Sequence, residues 1–140
     1  MPIDRREFLK LGGCAALAGR APEWLRAAAS PSASVAGSAD YRLRIARSLI
    51  ELAPDHIVST IAYNGQCPGP LIRLKEGQPV VIDVYNDTDA PEQLHWHGQS
   101  VPVDVDGSAE EGTPPIPAHG MRRLSFVPGP AGFRFYHSHV

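Results

Sequence analysis

Pro79-Val80-Val81-Ile82-Asp83-Val84-Tyr85 is a short run of β-branched and aromatic residues entered through the turn pair Glu76-Gly77. A run of this length and composition, bounded by a turn, reads as a β-strand and not as a helix. The same pattern recurs on both sides of it. Upstream lie Tyr41-Arg42-Leu43-Arg44-Ile45, Ile57-Val58-Ser59-Thr60-Ile61-Ala62-Tyr63 and Leu71-Ile72-Arg73-Leu74; downstream lie residues 94–97, 121–127 and 133–139. Asn64-Gly65, Asp106-Gly107, His119-Gly120 and Pro128-Gly129 supply turns between them. After the first forty residues no stretch of helical period and useful length is present, and there is no internal repeat. Short strands at such intervals predict an all-β antiparallel sandwich or barrel.

The 140 residues hold one domain of ordinary size plus a leader. With 13 Lys and Arg against 15 Asp and Glu, net charge is -2, so no basic or acidic field points to nucleic acid or to membrane lipid. Residues 1–29 read as an export signal, with a basic start, an apolar run over 8–18 broken by Lys10, and small residues ending at Ala27-Ala28-Ala29. That run is too short to cross a bilayer. Asp4-Arg5-Arg6-Glu7-Phe8-Leu9-Lys10 resembles the twin-arginine signal, with Asp4 where Ser or Thr is usual. It implies a partner in the twin-arginine export machinery and a periplasmic destination. Competing readings are an uncleaved amphipathic anchor and a lipoprotein leader ending at Cys14; the apolar stretch before Cys14 is very short for the latter. Residues 30–40, rich in Ser, Ala and Gly, read as a flexible linker, and the domain proper as 41–140. Of the two cysteines, Cys14 falls in the leader. Cys67, in a Pro/Gly turn, has no intrachain partner once the leader is gone, and is expected to be partly buried and inert.

The chemistry is concentrated in Leu94-His95-Trp96-His97-Gly98 and Phe135-Tyr136-His137-Ser138-His139. Residues two apart on a strand share a face, so each pair projects two imidazoles one way while Trp96 and Ser138 point the other way. Four imidazoles on two strands can therefore converge. Such a donor set, without a carboxylate, suits copper or zinc and not magnesium or calcium. Single histidines are ordinarily exposed or internally satisfied, and His56 and His119 are expected to be exposed loop residues. Two His-x-His pairs among 6 histidines call for a different account.

These strings, together with Tyr63-Asn64-Gly65-Gln66-Cys67-Pro68-Gly69-Pro70-Leu71-Ile72, the segment 76–87 and Asp106-Gly107, occur in the order found in one family. The chain resembles the first cupredoxin domain of the multicopper oxidases, the laccase-like enzymes, well over 63–140 and loosely over 41–62. Phe133-Arg134-Phe135 departs from it, since the family more often has Thr, an aromatic residue and Trp there. The resemblance implies a cupredoxin-like Greek-key sandwich or barrel. It also implies that His95 resembles a type 2 copper ligand, and that His97, His137 and His139 resemble ligands of the paired type 3 coppers. Asp106 matches the family's acidic residue for proton delivery during dioxygen reduction; the plainer reading makes it the first residue of an Asp-Gly turn. Asp104, Glu110 and Glu111 read as a solvated acidic loop. Trp96 and Tyr136 are expected to pack around the ligand strands.

In that family a type 1 copper takes single electrons from a substrate, and a trinuclear cluster reduces dioxygen to water. The His-Pro-x-His-x-His-Gly and His-Cys-His segments that complete both sites are not in these 140 residues. The expectation is therefore half of a trinuclear site, no type 1 site, and an N-terminal domain that stops short of its own end, with the missing C-terminal cupredoxin domain or domains as partner. Alone it is expected to bind copper without turnover. The competing function is a stand-alone periplasmic copper-binding module. A cupin, which pairs one His-x-His with a Glu and a later His, and an amidohydrolase barrel, which needs far more chain, fit less well.

Overall fold

In the computed structural model, which describes residues 37–139, the run that opened the sequence reading lies between two neighbours in a sheet. The leader at 1–29, with Cys14, and the linker up to residue 36 lie outside the described residues. The described elements are β1 (Tyr41–Ala53), β2 (His56–Tyr63), β3 (Val80–Asn86), β4 (Leu94–His97), the single helical turn α1 (Val103–Asp106), β5 (Gly120–Phe126) and β6 (Phe135–Ser138). One sheet has the order β2-β1-β3-β5, and β4 pairs with β6 in a second. The β1–β2, β3–β5 and β4–β6 pairs are antiparallel; β1 and β3 run parallel, from Tyr41 opposite Ile82 to Ile45 opposite Asn86. Parallel neighbours cannot be joined by a tight hairpin, so the chain between them makes β2 and a long loop before it returns. The architecture is all-β, as the sequence predicts, but not antiparallel throughout as expected, since β1 and β3 pair in parallel.

Alternation explains which face is covered. In β1, Leu43 and Ile45 are buried while Arg42 and Arg44 are exposed. Across the sheet, Ile82 and Val84 of β3 and Leu124 and Phe126 of β5 continue the same inner face. Leu94 and Trp96 of β4, Val105 of α1 and Ile116 close over it from the other side. Each aliphatic side chain buried here contributes about 1.5–3 kcal/mol. The outer face of β3 carries Asp83, which is 3% exposed. Arg123 of β5 covers it with two parallel hydrogen bonds of 2.7 and 2.9 Å. That pairing holds the Asp83 carboxyl below its ordinary range, chiefly through the guanidinium hydrogen bonds.

Asn86, fully buried at the end of β3, ties the second layer to the first. Its amide donates to the carbonyls of Ala90, Ile116 and Pro117, and its carbonyl accepts from Thr88. Residue 116 in turn exchanges two backbone hydrogen bonds with Glu92, of 3.0 and 2.8 Å, just before β4 begins.

Several expectations are corrected. Residues 71–74 are not a strand: Pro68 and Pro70 precede them, and Tyr41 takes their backbone instead. Its hydroxyl donates to the Arg73 carbonyl at 2.7 Å and lies 3.3 Å from the Arg73 amide. Strand β1 runs on to Ala53, because the turn at Pro54-Asp55, with Asp55 at φ 62, returns the chain as β2. In the far part of this hairpin Leu49, Leu52 and Ile57 are well exposed. Cys67, expected to be partly buried, is exposed; its turn lies at the surface between Gln66 and Pro68.

Candidate metal centre

The pairing of β4 with β6 decides where the histidines go. Its register sets Leu94 opposite Ser138, His95 opposite His137, Trp96 opposite Tyr136 and His97 opposite Phe135. Period-two alternation sends Leu94, Trp96 and Tyr136 to the core face, where Trp96 is 4% exposed and its ring lies 5.2 Å from that of Phe126. The histidines share the outer face. Ligand-capable atoms of His95, His97 and His137 all lie within 4.8 Å of one another. His139 is adjacent but outside this group: its ring centroid is 5.1 Å from that of His95 and 6.1 Å from that of His137. Its Nδ1 lies 3.9 Å from the Glu110 carboxylate.

Hydrogen bonds determine which nitrogens are available. His95 Nδ1 is 2.8 Å from the Asp106 carbonyl oxygen, and His137 Nδ1 is 2.7 Å from the Ser138 carbonyl oxygen. A carbonyl only accepts, so each Nδ1 carries the proton and each Nε2 keeps a lone pair. The lone pair of His137 Nε2 faces His97 Nδ1 at 3.3 Å. That contact can be satisfied by one shared proton or by a cation. The His97 ring is stacked on Phe135, with centroids 4.2 Å apart and planes at 16°.

Asp106 is reached through α1, a single helical turn and not merely a turn pair. Its carboxylate Oδ2 is 3.4 Å from His95 Nδ1 and about a quarter exposed. Gly107, at φ 84, ends the helical turn in the left-handed region. A Cβ on Gly107 would meet the Leu94 carbonyl oxygen at 2.0 Å and the His95 nitrogen at 2.6 Å, so only glycine lets this turn touch β4. Thr113 holds the turn in place. Its hydroxyl donates to the Val103 carbonyl and accepts from the amides of Gly107 and Ser108. Arg122 donates to the carbonyls of Pro114 and Asp104. Asp104, Glu110 and Glu111 are all exposed, as a solvated acidic stretch requires, but Asp104 lies in α1 and not in a loop, with its carbonyl engaged by Arg122.

His56 is exposed at the start of β2, and His119 is an exposed turn residue 2.9 Å from Asp89. Beneath the histidine strands lies a polar group that sequence reasoning did not single out. Glu92, 9% exposed, accepts a hydrogen bond of 3.1 Å from the Ser138 hydroxyl. The Tyr63 hydroxyl is enclosed without a hydrogen-bond partner. Burial first, and the Glu92 charge second, push its pKa up. An acidic residue two positions before Leu94, on the inward parity of β4, was the available signal for Glu92.

Comparison with known proteins gives a consistent set of likenesses. A family profile described as Multicopper oxidase matches residues 46–140. Copper resistance protein A of Pseudomonas syringae pv. tomato is 34% identical over 97% of this chain and 23% of its own length. Multicopper oxidase MmcO of Mycobacterium tuberculosis is 41% identical over 60% of this chain and 16% of its own. Among solved structures, a multi-copper oxidase from Pseudomonas thermotolerans superimposes with a TM-score of 0.66 at 30% identity, over 73% of this chain and 26% of that one. A metallo-oxidase from Campylobacter jejuni gives 0.61 at 35% identity, over 71% and 21%. The chain thus spans about a quarter or less of the curated relatives it matches.

Proposed function

Since the chain belongs to the multicopper oxidase family and its cupredoxin fold is that of the family's solved structures, we propose that it holds copper on the outer face of β4 and β6, as the N-terminal part of an exported copper oxidase. The observation that carries this reading is the meeting of three imidazoles from two strands within 4.8 Å, without a carboxylate among them. The donor chemistry fits. His95 and His137, with Nδ1 occupied by backbone carbonyls, present Nε2 as the ligand atom, in the manner of metal-binding histidines whose second nitrogen is held by the protein, while His97 turns its Nδ1 toward His137 Nε2. All-nitrogen sites of this kind favour copper or zinc over oxygen-seeking cations.

In this reading His95 serves a type 2 copper, and His97, His137 and His139 serve the type 3 pair, the remaining ligands coming from cupredoxin domain sequence outside these residues. When bound, copper supplies the one-electron chemistry through which such enzymes oxidise a substrate and reduce dioxygen to water. The chain's own residues orient and protect the site. The Asp106 carbonyl fixes the tautomer and tilt of His95, and Phe135 limits rotation of His97 by stacking on it. The Asp106 carboxylate, at 3.4 Å from His95 Nδ1 and in contact with solvent, is placed to hold a proton beside the ligand ring. Trp96 and Tyr136 keep water from the back of the ligand strands. Residues 1–29 are the export signal of the twin-arginine type.

Titration of the chain with Cu(II) tests the ligand set. We expect saturable binding that is lost when His95, His97, His137 and His139 are all replaced by Ala. Equal uptake by that variant would overturn the assignment. Loss after the changes on one strand alone would show that both strands are needed.

A further inference from the structure

We propose that Glu92 is a positioning residue for the histidines of β6, acting through Ser138; the inference rests on the metal reading above. Ser138 lies between His137 and His139 and has two roles at once. Its hydroxyl donates to the Glu92 carboxylate at 3.1 Å, while its carbonyl accepts from His137 Nδ1 at 2.7 Å. A shift of the Ser138 backbone therefore moves the group that sets the tautomer and tilt of His137.

Glu92 is suited to prevent that shift. Its backbone is fixed on both sides by the paired hydrogen bonds with Ile116, and Ile116 is held by the buried Asn86 amide. Its side chain, 9% exposed, lies on the core side with Leu94. Since Leu94 faces Ser138 directly, Glu92 reaches Ser138 as a diagonal neighbour on the same face, the relation through which strands lock one another's register. A carboxylate in such a position is acceptor-only and forms a stronger hydrogen bond to a hydroxyl than a neutral group does. The contact is thus a brace from the rigid start of β4 to the end of β6. It lies on the opposite face from the histidine rings, so Glu92 is not in a position to join them as a ligand.

The test measures Cu(II) affinity by calorimetry and the Cu(II) paramagnetic resonance spectrum for the whole chain and for Glu92→Ala, Glu92→Gln, Ser138→Ala and the double alanine variant. Loss of a group that orients a ligand typically weakens metal affinity by about tenfold or more. We expect about a tenfold loss in Glu92→Ala, a similar loss in Ser138→Ala, and little further loss in the double variant, because both changes remove one interaction. Glu92→Gln keeps an acceptor oxygen and is expected to recover most of the affinity and the wild-type spectrum. Wild-type affinity and spectrum in Glu92→Ala would overturn the proposal, as would losses that multiply in the double variant. If Glu92→Ala fails to fold in the absence of copper, Ser138→Ala and Glu92→Gln decide the matter by the same criteria. Failure of the wild-type chain to bind copper would instead remove the metal reading itself.

Discussion

The two ligand strands carry the same His-x-His pattern but are supported differently. Behind β4 lie Val105, Ile116 and Leu124 of the core, and against its backbone lies Gly107, so close that no side chain fits between them. The Gln93 amide also donates to the Thr113 carbonyl, fastening β4 to the loop that carries Asp106. Among the described residues each of the two strands has the other as its one strand neighbour, but β6 begins among exposed aromatics, with Phe133 89% and Phe135 54% exposed. On its inner side it is held by the Tyr136 ring, packed against Tyr63 and Trp96, and by side-chain hydrogen bonds from Tyr136 to the Pro70 carbonyl at 2.8 Å and from Ser138 to Glu92. Burial pushes the Tyr136 hydroxyl up to about 12. Consequently His95 is oriented by a carbonyl from another element, whereas His137 is oriented by the carbonyl of the next residue. One sequence motif therefore yields one rigid and one adjustable half of the cluster.

The sharpest way to break this contrast is Gly107→Ala. Overpacking against a backbone that cannot yield costs about 1–3 kcal/mol, and a left-handed conformation without glycine about 1–2 kcal/mol more. We expect a loss of about 2–5 kcal/mol in thermal unfolding, with His95 displaced. Gly112→Ala is the control. Gly112 has φ 96 and open space around it, so only the conformational cost of about 1–2 kcal/mol applies. Equal losses in the two variants would show that the contact with β4 is unimportant. A smaller effect is expected on β6: Tyr136→Phe removes one hydrogen bond, worth about 1 kcal/mol, and should loosen β6 more than β4 in amide exchange. Faster exchange in β4 than in β6 would reverse the comparison.

The least selective perturbation is acid, which acts on the other sheet. The Asp83 carboxyl is depressed below its ordinary value of 3.8 by Arg123, so its stabilisation is complete above that value and is lost as pH falls through the lower folded value. The difference in melting midpoint between wild type and Asp83→Asn should be full at neutral pH and close below about pH 4. A difference that persists at pH 2 would show that the pair contributes through shape and not through charge.

What could be read from sequence follows the range of the interactions involved. The alternation in 41–45 and 79–85 is local, and so was the parity that put His95 and His97 on one face opposite Trp96; both are present in the fold. The apolar content of 71–74 suggested a strand, but two nearby prolines and the hydroxyl of Tyr41 take the place of a ladder. The helical turn at Asp106 is set by Thr113 and Arg122, contacts that no local pattern encodes. Cys67 was expected to be partly buried because small cysteines in turns usually are, yet it is exposed, Tyr63 and Tyr136 approaching the turn at Gly69 instead. Glu92 was missed because its function depends on Ser138, 46 residues away.

The His-x-His spacing has a consequence for the unfolded chain. The third nitrogen of the cluster comes from the opposite strand, but the first two of each pair are neighbours before any sheet exists. Each pair therefore offers two neighbouring nitrogens to copper in the denatured ensemble as well, on the proposed ligand set. Since a ligand stabilises a fold only by its preference for the native state over the unfolded one, part of the binding free energy is cancelled. Copper should raise the melting temperature of this chain by less than its native-state affinity alone would give. The difference measures how much of the site is written in sequence neighbours and how much in the pairing of β4 with β6.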